Sequence, residues 1–308
     1  MDKLKLKANF NKKRINVMTI LKKICTIALV FGFITSIAFA QPETPVSQWS
    51  DKTILLVGAH PDDDSRSYGT LSMLQENGNE VYVLLLTTGN VGTKDPDMSR
   101  FRLAEIRNGE EIRALNEIGI PEENYINLGY NDGMLEFADR EEVVRRLVKW
   151  YREIKPDVLF AFDPGYGYQK WFKSDHRTAS YLAVDAARAA EWRLIFPGQI
   201  TQDGLEAHLI EEYMFYRGVE KDKNTWVDIS GEHADRKFNA VSMHVSQFSS
   251  AWDDYNGMDL EAKDLEPEAR DAFLENMRNR VYENTKDGNV VEGFRYYKGV
   301  PDGIGHRD

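Results

Sequence analysis

Thr53-Ile54-Leu55-Leu56-Val57-Gly58-Ala59-His60-Pro61-Asp62-Asp63-Asp64 is the stretch on which the reading of this chain turns. A β-branched, leucine-rich run that breaks into glycine, proline and three carboxylates reads as a buried parallel strand delivering a loop at its C-terminal end. In open α/β sheets, sites are built at that end. His60 and Asp63, three residues apart, can turn toward one point and supply a neutral nitrogen and an anionic oxygen, ligands that suit zinc. Pro61 fixes φ, so the loop is stiff before any ion arrives. Three acids can also serve as the cap and first turn of a helix, complementing its dipole without any chemistry. After a hydrophobic strand, however, three like charges repel one another unless a cation binds among them, which favours a metal.

Working outward, residues 69–75 continue as a helix closed by Asn77-Gly78, and Glu80–Thr87 is a second strand. That β-α-β order predicts a right-handed parallel crossover. The following loop, Thr88-Gly89-Asn90-Val91-Gly92-Thr93, has two glycines but neither P-loop nor dinucleotide spacing, so no nicotinamide or flavin cofactor is expected. Helices are predicted over 98–118 and 139–154, the second stopped by Pro156, and again over 178–191, 231–246 and Pro267–Tyr282. Strands are predicted over 124–128, 157–162, 209–216 and 225–229, with a late edge strand over 292–297. This alternation gives an α/β fold, a Rossmann-like three-layer sandwich with a mostly parallel sheet and C-terminal additions, as one domain over 41–308.

The 308 residues, 42% hydrophobic and 29% charged, suffice for such a domain. The first forty differ from the rest. Basic residues from Lys3 to Lys23 precede an apolar run that ends Ala38-Phe39-Ala40, the three-part pattern of a secretory signal peptide, with Met18 as a second candidate start. Export to the periplasm or the extracellular space is therefore expected, without stable membrane insertion after cleavage. Cleavage after Ala40 removes Cys25, the single cysteine, so stability must come from the core. It also takes away eight basic residues and one acid, leaving 31 basic and 49 acidic residues and a formal charge of −18. Such a surface argues against nucleic acid and anionic membrane as partners and suits neutral or cationic substrates.

A second histidine lies in Lys173-Ser174-Asp175-His176-Arg177, in the first turn of an alanine-rich helix after the strand over 157–162. By itself, a histidine at a helix start is more commonly a cap or packing residue. Here it is placed to meet His60 and Asp63. With His60-Pro61-Asp62-Asp63 and Asp175-His176 both present, the chain resembles the PIG-L family of zinc-dependent deacetylases, also called LmbE-like. Supporting matches are Gly69-Thr70-Leu71, Arg107 with Glu110, Leu128-Gly129 with Asp132, Val227-Asp228-Ile229, and Lys237 and Ala240 followed by His244-Val245-Ser246-Gln247. In combination they are specific, and they run from about residue 53 to 247.

The resemblance implies that His60, Asp63 and His176 bind one zinc ion, leaving a coordination position open for water. It makes Asp62 the general base, which takes a proton from that water and returns it to the leaving amine. Arg107 and Asp132 fall where family members line a sugar pocket, although either equally suits a structural ion pair. The first histidine of the usual H-x-x-H pair is replaced by Lys173, a cation able to stabilise the oxyanion if it points inward. Tyr166, Tyr168 and His244 are the alternative donors. Trp171 and Phe172 flank this loop and can stack on a sugar or on the core. Asp64 stands where many relatives have glutamate.

The expectation is an exported zinc hydrolase that removes an N-acyl group, most plausibly N-acetyl, from an amino sugar or glycoconjugate. Its rivals are a non-catalytic sugar-binding protein on the same scaffold and a different metal-dependent hydrolase, an esterase or phosphoesterase. A mixed nitrogen and oxygen site also accepts iron, cobalt or nickel.

Overall fold

The computed structural model describes residues 41–93, 97–165, 174–248 and 266–299. The predicted signal segment lies outside them. Within the unit Ala40–Asp308, the sheet begins with β1 (Thr53–Gly58), β2 (Glu80–Thr87), β3 (Tyr125–Tyr130), β4 (Val158–Phe162) and β5 (Glu212–Tyr216). These five are parallel and lie in the order β3-β2-β1-β4-β5. In the centre, Leu55 pairs with Tyr82 on one side and Leu159 on the other.

Strand β1 occupies the middle because both its faces can be buried. Ile54, Leu55 and Leu56 have no exposed surface, and neither do the β4 residues Val158 to Phe162. Helices α1 (Tyr68–Glu76), α2 (Arg100–Glu117), α3 (Arg140–Ile154) and α4 (Ser174–Ala190) connect and cover these strands. Asp139 caps α3 by accepting the Glu142 N–H at 3.0 Å. Lys155 ends it in the left-handed conformation, φ 55°. Between those caps, Val143, Leu147, Val148 and Tyr151 form the buried stripe.

Two expectations need correction. The stretch 231–246 is two helices, α6 (Glu232–Val241) and α7 (Val245–Phe248), which follow the short α5 (Pro197–Thr201). The Ser242 hydroxyl donates back to the Phe238 carbonyl at 2.7 Å, a local bond that competes with helix continuation. Nor is the late strand an edge. After β6 (Thr225–Asp228), α8 (Pro267–Tyr282) and the two-residue β7 (Thr285–Lys286), strand β8 (Asn289–Lys298) inserts between β5 and β6, antiparallel to both.

Buried polar groups tie the additions to the sheet. Glu292 on β8 accepts the N–H groups of Gly69 and Thr70 in the first turn of α1, and the Lys237 ammonium of α6 at 2.6 Å. Arg152 on α3, fully buried, donates to the carbonyls of Ala190, Trp192, Ile195 and Phe196 and to Gln199 Oε1. Those carbonyls belong to the end of α4 and the turn after it, so one guanidinium organises the whole connection. No helix among the described residues is long and apolar enough to cross a membrane.

The chain leaves β1 for β2 on one side and later returns to β4 on the other. The C-terminal ends of β1 and β4 therefore flank the switch point, where the connections diverge and a crevice forms.

Candidate metal centre

His60 and Asp63 follow β1, and His176 is the third residue of α4, which follows β4. The topology thus brings both histidines to the switch point. Asp63 is pinned first. Its Oδ2 accepts the backbone N–H groups of Ala59 at 3.2 Å and His60 at 2.8 Å, so the carboxylate is fixed by its own loop. Burial would raise its pKa, but the charges of His176 and His60, a hydrogen bond from His60 and the nearby Arg217 outweigh it and hold the group well below the usual carboxylate range.

His60 uses its two nitrogens differently. Its Nδ1 lies 3.2 Å from Asp63 Oδ2 and 3.1 Å from His176 Nε2. Its Nε2 lies 3.0 Å from Asp132 Oδ1 and 3.3 Å from Asp175 Oδ2. Asp175 is itself held by the N–H groups of Gly133 at 2.7 Å and Leu135 at 3.2 Å. A carboxylate on one ring nitrogen keeps the proton there and leaves the other as a lone pair aimed at an ion. Burial disfavours a charged ring, yet the hydrogen bonds to Asp132, Asp175 and Asp63 keep His60 titrating well above its ordinary value.

His176 stacks on Phe162 of β4, ring centroids 4.7 Å apart at 15°. Its Nε2 reaches Asp63 Oδ1 at 3.2 Å. His60 Nδ1 and His176 Nε2 thus stand 3.1 Å apart, each 3.2 Å from a different oxygen of the Asp63 carboxylate, and one donor atom from each residue lies within 4.8 Å of the others. A tetrahedral ion with bonds of about 2.0–2.2 Å sets its donors about 3.3–3.5 Å apart, so the spacing fits a small divalent ion with little adjustment. The donor set, two imidazoles and a carboxylate, is also one that zinc accepts.

Asp62, between His60 and Asp63 in the chain, has a backbone φ of 104° and ψ of −19°. At a residue other than glycine that conformation costs about 1–3 kcal/mol and persists only where neighbours enforce it. Its N–H donates to Glu111 Oε2 at 3.0 Å. Its carboxylate is partly exposed and accepts no hydrogen bond among the described residues. Burial, then the Asp63 charge, push its pKa up to about 7 against the pull of Arg107, His60 and Arg217.

The other expected site residues are placed as follows. Lys173 and Tyr168, with Tyr166, Trp171 and Phe172, lie outside the described residues. Asp132 contacts His60 rather than a basic partner. Arg107 is buried, and its guanidinium donates to the Gly89 and Gly92 carbonyls and to Gln247. It packs so closely that a Cβ on Gly89, already at φ 63°, would come within 2.9 Å of its Nη1. The Arg-to-loop contact therefore requires glycine there. His244 is buried and pairs with the Tyr68 hydroxyl at 2.8 Å. In this structure Arg107 and His244 support the loops around the centre.

Three residues beside the centre were given no role by sequence reasoning: Asp175, Glu111 and Arg217. Asp175 adjoins His176 in the motif, and that adjacency was the available signal. Arg217 follows β5 directly at φ 59° and brings an Nη1 within 3.5 Å of His176 Nδ1. Its position at the C-terminal end of a parallel strand was the clue.

Comparison with known proteins agrees with this geometry. The sequence pattern of PIG-L, described as GlcNAc-PI de-N-acetylase, matches residues 55–187. The diacetylchitobiose deacetylase of Thermococcus kodakarensis is 32% identical over 201 residues, covering 64% of this chain and 70% of that protein. The chain belongs to the PIG-L family. A second relative, the 1D-myo-inositol 2-acetamido-2-deoxy-alpha-D-glucopyranoside deacetylase of Kineococcus radiotolerans, is 33% identical over 149 residues, 38% of this chain and only 40% of that protein. Among solved structures, the N,N'-diacetylchitobiose deacetylase of Pyrococcus horikoshii aligns with a TM-score of 0.65 at 26% identity, covering 82% of this chain and 86% of that one. A 4-carboxy-2-hydroxymuconate hydratase from Pseudomonas putida, TM-score 0.58 at 16% identity, shares the fold alone. Membership in PIG-L makes this protein an amide hydrolase of the N-deacetylase class.

Proposed function

We propose that this PIG-L protein is an exported zinc enzyme that removes the N-acetyl group from an N-acetylglucosamine-containing saccharide, most directly a short chito-oligosaccharide. The observation that carries the reading is the set of 3.1–3.2 Å contacts among His60 Nδ1, the two carboxylate oxygens of Asp63 and His176 Nε2, beside a partly exposed Asp62. Two diacetylchitobiose deacetylases among its similar proteins support the substrate class. The signal-like first forty residues support export. The negative formal charge left after their removal suits a neutral sugar.

His60, Asp63 and His176 would hold the ion, with Asp132 and Asp175 orienting His60. When bound, zinc supplies Lewis acidity, making a water more acidic and an acyl oxygen more electrophilic. Asp62 takes the proton of the attacking water as a C–O bond forms, then delivers it to the amide nitrogen as the C–N bond breaks, releasing acetate and the free amine. Arg217, with a guanidinium nitrogen 3.5 Å from the His176 ring, sets a fixed positive charge at the centre to oppose the charge developing on the acyl oxygen. Lys173 is the second proposed source of that charge.

The test measures bound zinc and acetate release together on N,N'-diacetylchitobiose. Wild type should release acetate and free amine in equal amounts. Asp62→Ala should keep its zinc and lose at least about 100-fold in kcat, whereas His176→Ala should lose the zinc. Undiminished acetate release in either variant removes the mechanism.

A further inference from the structure

Two consecutive glutamates of α2 are fully buried, and they reach in different directions. Glu110 accepts the N–H and the hydroxyl of Ser246 at 2.8 and 2.6 Å, which anchors the first turn of α7. That is an ordinary cap. Glu111 instead reaches under the metal loop, where Oε2 accepts the Asp62 N–H at 3.0 Å. Its side-chain neighbour is the equally buried Asp64, with the Tyr68 hydroxyl beside them. Burying a carboxyl group is costly, and a second one beside it more so. Burial first, and the Asp64 charge next, raise the Glu111 pKa well above the ordinary carboxylate range. His244 Nε2 lies 4.0 Å from Glu111 Oε2, and its nearer partner is Tyr68.

The backbone of Asp62 explains why such a group is retained. Asp62 is left-handed at φ 104°, and its own carbonyl accepts the local Ser65 N–H at 3.1 Å. Asp63, the next residue, has its carboxylate buried on the loop's N–H groups, while the Asp62 side chain stays partly exposed. Sending two successive carboxylates into such different surroundings is what the left-handed turn accomplishes, and the Glu111 bond is the long-range contact that clamps its backbone.

We infer that Glu111 is a positioning residue: by accepting the Asp62 N–H from beneath the loop, it locks Asp62 in the left-handed conformation that presents its carboxylate to the substrate. This rests on Asp62 being the base, as proposed above. The required property is an acceptor atom at Oε2. Negative charge is not required, so glutamine should serve and an apolar side chain of similar length should not.

The experiment compares Glu111→Gln and Glu111→Met with wild type and Asp62→Ala, measuring bound metal per chain, thermal unfolding, kcat and KM for acetate release. Glu111→Gln should keep its metal and stay within about five-fold of wild-type kcat, while Glu111→Met should keep metal and KM and lose about 100-fold in kcat, the size of effect that a misplaced reacting group produces. A crystal structure of Glu111→Met should show Asp62 outside the left-handed region. A folded, metal-loaded Glu111→Met with wild-type kcat overturns the inference, and so does a loss that appears in KM or in metal content. If Glu111→Met does not fold, Glu111→Gln decides: near-normal kcat upholds the acceptor role, and a loss as deep as that of Glu111→Met's intended effect overturns it. Full activity in Asp62→Ala would instead remove the base assignment itself, whatever the Glu111 variants do.

Discussion

His60 Nε2 lies 3.3 Å from Asp175 Oδ2, and Asp175 is fixed in turn by the N–H groups of Gly133 and Leu135. The tautomer of His60 is thus set from the turn after β3, through the residue adjoining His176. Asp175→Asn keeps the volume and removes the charge. It should weaken metal binding about 10–100-fold with little change in thermal stability of the metal-free protein, as measured by competition with a chelating dye.

Metal affinity should also rise with pH. In the ion-free state the hydrogen bonds of His60 hold its pKa well above 6.5, so an ion must displace a proton from the ring. Affinity should fall by up to about tenfold per pH unit on acidification below that raised pKa. Calorimetry in buffers of different ionisation enthalpy checks this: binding without proton release would contradict it.

Arg152 offers a test of the scaffold apart from the chemistry. Its guanidinium satisfies four backbone carbonyls and Gln199 inside the protein. Arg152→Met should cost about 1–3 kcal/mol, because the buried charge-assisted hydrogen bonds are lost while the Ala190, Trp192 and Phe196 carbonyls keep the N–H donors of His208, Ile195 and Gln199. Denaturant titration should show that loss, with activity per folded molecule largely kept.

His244 should make stability depend on pH. Burial, then the charges of Arg107 and Arg113, push its pKa down to about 3. The unfolded chain takes up a proton near pH 6.5 that the native protein refuses, so the stability associated with His244 is intact above pH 6.5 and is lost as pH falls toward 3. The stability gap between wild type and His244→Gln, measured by denaturant melts, should narrow by about 2–4 kcal/mol between pH 7 and pH 4.

The parallel half of the fold was legible because its signals are local. Leu55 and Leu159 sit in short apolar runs that end in Gly, Pro or Asp, and Asp139 and Lys155 bracket a clear helical period. The place of β8 was not legible, because nothing near Val291 or Phe294 records that their partners are Asp228 and Thr225 on one side, while Arg295 meets Phe215 on the other. The break at Ser242 was hidden for a similar reason: a serine mid-helix bonds backward only once the packing around it allows. The convergence of His60, Asp63 and His176 was readable from spacing and topology together. Glu111 and Asp175 were not, because their roles depend on backbone N–H groups 49 and 40 residues away.

The position of β8 bears on how the sheet is completed during synthesis. Until Asn289–Lys298 emerges, β5 has parallel β4 on one side and an unpaired row of backbone groups on the other. A chain interrupted just before Asn289 would carry an almost finished candidate metal centre next to an open β edge, the surface on which such edges recruit another molecule.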